Sequence, residues 1–460
     1  MGEFDAKMGE VSLNESSSLY QRSPFGKEMK AKHFLFAENW RNMNHGSFGT
    51  IPRAIRDKQR KYQEECENSP DLFIRYTFPR LLDESREAVA KLLNAPTDTV
   101  VFVPNATTGV NTVLRNLVWN EDGKDEVLYF STIYGSCGLT VEYVSEVNNG
   151  RMVGRKIDIL YPIEDASLVE AFEKGIAASK AEGKRPRVAI FDTITSVPGL
   201  RVPFESLVSI CRKEEIYSLI DGAHCVGHIP IDLSKLDPDF FVSNCHKWLH
   251  VPRGCAVFYV PKKHQDLMRS SLPTSHGFVA RGTGFVNPLP PSAKSSFVNQ
   301  FEFVGTIDNT NYLCVAEAIK WRQEVCGGEK AITDYCKNLS KEGGALVAQI
   351  LGTEVMDNST NTLTDCSLIN VLLPITIGEE TVEGMVTVSE SNKMKAYLWM
   401  VDTLMKDYNT WIMIAYLEGK WWTRLSAQVY LDMEDFEWAG RTLKELCMRV
   451  GNGDYLRSGE

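Results

Sequence analysis

The chain has 460 residues, 43% hydrophobic and 24% charged, with a net charge of -10. That length is more than one core requires and predicts two domains, and the negative balance argues against nucleic acid or an anionic membrane as a partner. The 11 cysteines include no Cys-x-x-Cys pair and the eight histidines do not cluster with them, so reduced thiols in a cytoplasmic enzyme and no metal are expected.

Residues 1–26 are polar and Ser-rich and read as a mobile tail. A large domain is expected over 27–311 and a smaller one over 312–460, where the pattern changes. No secretory h-region or membrane-length apolar run is visible. Asn44-His45-Gly-Ser-Phe-Gly49 is a turn-rich loop whose glycines let the backbone approach a ligand; a plain turn is the alternative. Helices are predicted over 54–66 and 81–93. Between them Phe73-Ile-Arg75-Tyr76 sets an arginine among apolar neighbours, either as a substrate clamp or as an interface residue.

Val100 to Val103 is a strand, Asn105 to Gly109 a turn, and helical spacing follows from Val110. A helix N-terminus after a strand gathers free amides and a favourable dipole. This makes Ala106, Thr107 and Thr108 a candidate phosphate site, with simple N-capping by Thr as the competing reading. There is no Walker lysine, so a nucleotide P-loop is not indicated. Further strands are predicted at 126–130, 151–159 and 187–192, with helices at 166–179 and 203–214. That alternation predicts a mostly parallel sheet with right-handed crossovers. The stretch 272–300 is long and aperiodic, as functional loops often are. Beyond it come helices at 312–325, 331–351 and 433–450, with strands at 368–373, 411–416 and 423–430. Arg424 lies within the last of these strands. A buried guanidinium needs a partner, and its planar fork suits a carboxylate, whether of a substrate or of an internal salt bridge.

Two segments carry chemistry. Ile216-Tyr-Ser-Leu-Ile-Asp221 is a strand ending in a carboxylate, followed by Gly222-Ala-His224. Ligands bind at such strand ends in open α/β sheets. Asp239-Phe-Phe-Val-Ser243 and Cys255-Ala-Val-Phe-Tyr-Val260 are buried strands on either side of Lys247. Loss of water disfavours its ammonium form and yields an amine that can form a Schiff base. A carboxylate to hold a pyridinium nitrogen and a lysine to form an imine are the two parts that pyridoxal phosphate requires.

Asp221-Gly-Ala-His224 followed by Ser243-Asn-Cys-His-Lys247 resembles the class V aminotransferase family of fold type I pyridoxal phosphate enzymes. The resemblance runs from Asn44-His-Gly46 to Arg424-Leu-Ser426. It implies an α/β fold with a seven-stranded, mostly parallel sheet in the large domain and a small α+β C-terminal domain. It also implies pyridoxal 5'-phosphate as cofactor, an amino-acid-derived substrate and a homodimer. By the same resemblance Tyr134 stacks on the ring, and Thr195 or Ser196 contacts the cofactor 3-oxygen or the substrate. His224 lies near the ring, Ser243 and His246 bind the phosphate, and Thr306 reaches the phosphate of the neighbouring subunit. The loop of Asn44 and His45 lines the substrate side, Arg424 holds the α-carboxylate and Lys247 shuttles the Cα proton. Trp248-Leu-His-Val-Pro-Arg-Gly254 departs from the family's Gly-rich turn.

Arg41-Asn-Met-Asn-His-Gly-Ser-Phe-Gly49 and Ser243-Asn-Cys-His-Lys-Trp-Leu249 further resemble a fungal branch. That branch holds carbon-sulfur lyases acting on hercynylcysteine sulfoxide and enzymes of loline-alkaloid biosynthesis. The expected reaction passes through a Cα carbanion. Carbon-carbon ring closure in specialised metabolism leads, and carbon-sulfur cleavage is the alternative. No Cys lies in 272–300, which disfavours a cysteine desulfurase that carries sulfur on a loop thiol.

Overall fold

The computed structural model describes residues 20–272, 276–278, 280–282, 288–380 and 382–457. Residues 1–19 and parts of the 272–300 loop lie outside that range. Residues 20–26, assigned above to the tail, join the fold: Ser23 N donates to Val325 O at 3.1 Å and Gly26 N to Val429 O at 2.8 Å.

Seven strands form the large sheet: β1 (Val100–Val103), β2 (Asp125–Phe130), β3 (Met152–Ile157), β4 (Arg185–Asp192), β5 (Tyr217–Asp221), β6 (Phe240–Ser243) and β7 (Ala256–Tyr259). Their order is β1-β7-β6-β5-β4-β2-β3. All run parallel except β7, which is antiparallel to both β6 and β1. The central strands are nearly continuous apolar runs because helices cover both faces, dividing the buried side chains into two cores. In the central register Asp192 is paired with Asp221, and Asp221 with Val242. Two acidic side chains therefore share one end of the sheet, and Ser243 ends the next strand.

The smaller domain contains β8 (Leu368–Leu372), the short parallel pair β9 (Ile375–Ile377) and β10 (Val386–Val388), β11 (Met413–Leu417) and β12 (Lys420–Ser426). Antiparallel β11-β12-β8 backs onto the helix Glu329–Leu351, which packs in turn on the helix Met433–Gly451. An Asp432–Asp435 capping box starts the second helix. The strand expected over 423–430 stops at Ser426. Residues 427–430 turn inward, and Tyr430 is fully buried. The helix expected over 312–325 breaks at Cys314 into Thr310–Leu313 and Val315–Val325. Lys393–Lys406 is a helix that the sequence reading did not assign.

Candidate active site

Lys247 lies in a single helical turn, Cys245–Trp248, between β6 and β7. Three contacts fix this turn. His45 Nε2 donates to Lys247 O at 2.6 Å, while His45 Nδ1 accepts from Tyr430 OH at 2.9 Å. Gly49 has φ of 62°, and a Cβ there would stand 1.9 Å from His246 O, so only glycine allows the loop this close. Arg322, with no solvent exposure, donates to Trp248 O at 2.7 Å and Gly227 O at 2.9 Å, and pairs with Glu329. Arg322 thus holds the lysine turn and the turn after β5 together.

The amine of Lys247 is 2.9 Å from His224 Nε2. Burial, helped by the nearby Arg424 guanidinium and opposed by Asp221 and Asp192, lowers its pKa to about 8. Asp221 accepts from Ala223 N at 3.0 Å and from the buried Cys137 thiol at 3.3 Å. Burial pushes the Asp221 carboxyl up; it pushes Asp192 well up, with Asp221 as the next cause. Two adjacent buried carboxylates fit a cationic partner, and a pyridinium N–H supplies one.

Arg424 enters from β12. It donates to Ser196 O at 2.5 Å, Asn44 Oδ1 at 2.8 Å and Ser47 Oγ at 2.9 Å. It is 2% exposed, its Nε has no hydrogen-bond partner, and burial lowers its pKa to about 10. The alternative of an internal salt bridge is not met: among the described residues no carboxylate pairs with it. A buried cation held only by neutral oxygens is suited to an anion from outside.

At the phosphate end, helix Ala106–Asn116 is capped by Asn105, not by Thr: Asn105 Oδ1 accepts from Thr108 N at 2.8 Å. Ala106 N donates to Asn244 Oδ1 at 2.9 Å. Asn244 therefore reaches the helix mouth, beside Thr107. Ser243, predicted for that place, is fully buried and accepts from Val226 N at 2.9 Å. It braces the turn after β5, because its side chain leaves the sheet on the other face. His246 Nδ1 donates to Cys255 O at 2.9 Å, and burial brings its pKa down to about 4. With the proton on Nδ1, Nε2 of the neutral ring carries a lone pair and is open to a donor.

Other predicted residues have different duties. Thr195 is 2% exposed and its hydroxyl donates to Pro198 O at 2.5 Å, so it shapes the loop whose Ser196 carbonyl holds Arg424. Both ring nitrogens of His45 are hydrogen-bonded within the protein, to Tyr430 OH and Lys247 O, so neither is left to bond a ligand. Asn44 acts through Arg424. Tyr134 stands at the end of β2, starts helix Gly135–Val147 and is 46% exposed, leaving an open ring face. Arg75 and Thr306 stand apart from this group. Arg75 pairs with Asp71 and donates to Pro288 O at 2.6 Å. Thr306 is exposed on the rim of a groove of about 530 Å³ that Phe73, Ile74 and Phe303 help to line. Cys137, Asn244, Arg322 and Asp192 were missed; of these only Asp192 gave a signal, a carboxylate ending a strand as Asp221 does.

The donor set fits pyridoxal 5'-phosphate: a helix mouth for the phosphate, a carboxylate pair for the ring nitrogen and a desolvated lysine for the aldehyde carbon. Comparison with known proteins agrees. Residues 53–374 match the family described as aminotransferase class-V. The chain is 39% identical to the L-cysteine desulfhydrase-like protein lolT2 of Epichloe uncinata, covering 94% of this chain and 95% of that one. It is 31% identical to hercynylcysteine sulfoxide lyase of Schizosaccharomyces pombe, over 93% of this chain and 99% of that one. Among solved structures, the cystine C-S lyase C-DES with cysteine persulfide superposes at a TM-score of 0.68 with 18% identity, covering 89% of this chain and 98% of that one.

Proposed function

This chain belongs to the class V aminotransferase family and is a pyridoxal 5'-phosphate enzyme, and on that premise we propose that it removes the Cα proton of an amino-acid substrate anchored at Arg424. The observation that carries this reading is the buried, unpaired guanidinium of Arg424 near a desolvated lysine. A substrate carboxylate supplies the anion that Arg424 lacks and fixes the orientation of the Cα–H bond. Lys247, whose pKa burial lowers to about 8, receives the proton at Nζ when it is the free amine. Asp221, flanked by Cys137 and Asp192, supplies negative charge for the ring nitrogen. When bound, the cofactor accepts the electrons that the departing proton leaves behind.

The fate of the Cα carbanion that we assign is attack on an electrophile in the same substrate, a carbon-carbon ring closure in specialised metabolism. The 39% identity to the Epichloe protein and the imidazole of His224 support it; in the sulfoxide lyase glutamine is the residue expected there. Carbon-sulfur elimination is the second reading, favoured by the names of both relatives, a desulfhydrase-like protein and a sulfoxide lyase. No described cysteine is well exposed; Cys66 is partly exposed and the others are buried, which fits neither reading's needing a protein sulfur acceptor. Incubation with L-cysteine and with hercynylcysteine sulfoxide, followed by assay of pyruvate, separates the two. Absence of pyruvate with retained Cα exchange is expected under ring closure, and rapid pyruvate release overturns it.

The assembly we assign is a homodimer. The apolar groove beside Thr306 is the face a second copy covers, and the Thr306 hydroxyl reaches the partner's phosphate site.

A further inference from the structure

The residue after the lysine is a tryptophan with an unusual set of contacts. Trp248 is 1% exposed, and its Nε1 donates to His224 Nδ1 at 3.1 Å. An indole nitrogen can only donate, so His224 Nδ1 must be the unprotonated nitrogen. In a neutral imidazole the proton then resides on Nε2, and Nε2 is the atom 2.9 Å from Lys247 Nζ. An ammonium has no lone pair and cannot accept from it. The hydrogen bond exists only with the lysine as a free amine, whose lone pair takes the N–H.

The indole has no freedom to turn away. The ring of His228 stacks on it at 3.7 Å with an interplanar angle of 19°. His228 is itself fixed, since Nδ1 donates to His224 O at 2.8 Å and Nε2 accepts from Ser367 N at 2.7 Å. Arg322 holds the Trp248 carbonyl. Backbone contacts on two domains thus set one imidazole tautomer.

We propose that Trp248 is a positioning residue that fixes His224 as an Nε2–H donor and so holds Lys247 as a free amine, ready to capture the cofactor and to take a proton. The inference rests on the reading of Lys247 as the cofactor-linking base. Other charged and titratable groups also face the pair. Arg424 favours the free amine, while Asp221, Asp192 and Cys137 favour the ammonium. Arg424, His228 and His45 all disfavour a cationic His224. None of these selects which imidazole nitrogen carries the proton; only the indole does.

The test uses apoprotein and pyridoxal 5'-phosphate. Capture on Lys247 is stopped with borohydride at a series of pH values and measured by mass spectrometry. Trp248→Phe keeps an aromatic ring against His228 and removes the N–H. His224 then rotates its proton to Nδ1, Nε2 becomes an acceptor, and the ammonium is stabilised. The midpoint of the capture profile should rise by about one pH unit. Glutamine donates without needing a tautomer, so in a His224→Gln background the Trp248→Phe shift should vanish. Should the Phe variant fold poorly, benzothienylalanine at position 248 replaces the N–H by sulfur at nearly constant shape and should give the same rise. An equal shift in both backgrounds, or no shift in a folded single variant, overturns the proposal. Failure of the wild type to form any Lys247 adduct would instead overturn the assignment of Lys247 itself.

Discussion

Arg424 donates to Asn44 Oδ1 at 2.8 Å, joining β12 of the smaller domain to the loop before the first long helix, and both residues are buried. The contact presents a guanidinium with its Nε unmatched. Such a group costs stability in the empty enzyme and returns it when a carboxylate arrives. Arg424→Met should therefore leave apoprotein stability unchanged or raised, while kcat/KM falls by roughly 100-fold, about 3 kcal/mol, as for removal of one partner of a buried charge pair. Thermal unfolding and steady-state kinetics on the same preparation check both halves. A drop in stability with unchanged kcat/KM would mark Arg424 as structural.

Arg322 is different because its charge is already matched by Glu329 and its remaining donors serve two carbonyls of the active-site turns. Arg322→Met strands those carbonyls and the carboxylate. A loss of about 3–5 kcal/mol is expected, together with faster release of the cofactor, because the lysine turn loses its brace. Denaturant unfolding and the rate of cofactor exchange with a competing aldehyde measure the two effects.

Stability should depend on pH through buried bases whose charged forms the fold disfavours. Burial lowers the pKa of Lys247 to about 8, of His246 to about 4 and of His45 and His228 to about 3. For each of these bases the unfolded chain binds protons more readily, so stability rises with pH across the interval between folded and unfolded values. For the histidines that interval runs from 3 or 4 up to about 6.5, and acidification through it should destabilise the protein. For Lys247 it runs from 8 to about 10.4. Lys247→Met apoprotein should therefore be more stable than wild type at pH 7, with the difference closing towards pH 10. A constant difference across that range would contradict a depressed lysine.

If Thr306 completes the partner's phosphate site, each active centre needs two chains. Lys247→Ala and Thr306→Ala proteins, each with little activity alone, should regain activity when unfolded together and refolded as hybrids. A fully active monomer in sedimentation would exclude this arrangement.

The strands around Asp221 and Lys247 were legible in the sequence because both faces are buried and the apolar runs are short and bounded. Side-chain direction at the strand ends was not. Ser243 and Asn244 are adjacent, and local backbone direction decides which reaches the phosphate helix; the family resemblance pointed to Ser243, whereas Asn244 is the one that bonds Ala106 N. Thr195 and His45 have the residue types of a ligand shell, yet their hydrogen bonds turn inward, which only tertiary contacts reveal. Trp248 was visible as a departure from a Gly-rich turn. Its function emerged only with His224 Nδ1 at hydrogen-bond distance. Arg322 lies 75 residues from Lys247 in an ordinary amphipathic helix, and nothing local distinguishes it from a surface arginine.

The central claim is that Lys247 takes a Cα proton from a substrate whose carboxylate Arg424 holds. Incubation of the holoenzyme with a slow amino-acid substrate in heavy water, with Cα deuterium read by mass spectrometry, tests it directly. Wild type should incorporate one deuterium. Lys247→Ala should incorporate none above background, and Arg424→Ala that is folded and retains its cofactor should incorporate far less than wild type. No exchange in wild type, or undiminished exchange in either variant, would contradict the account.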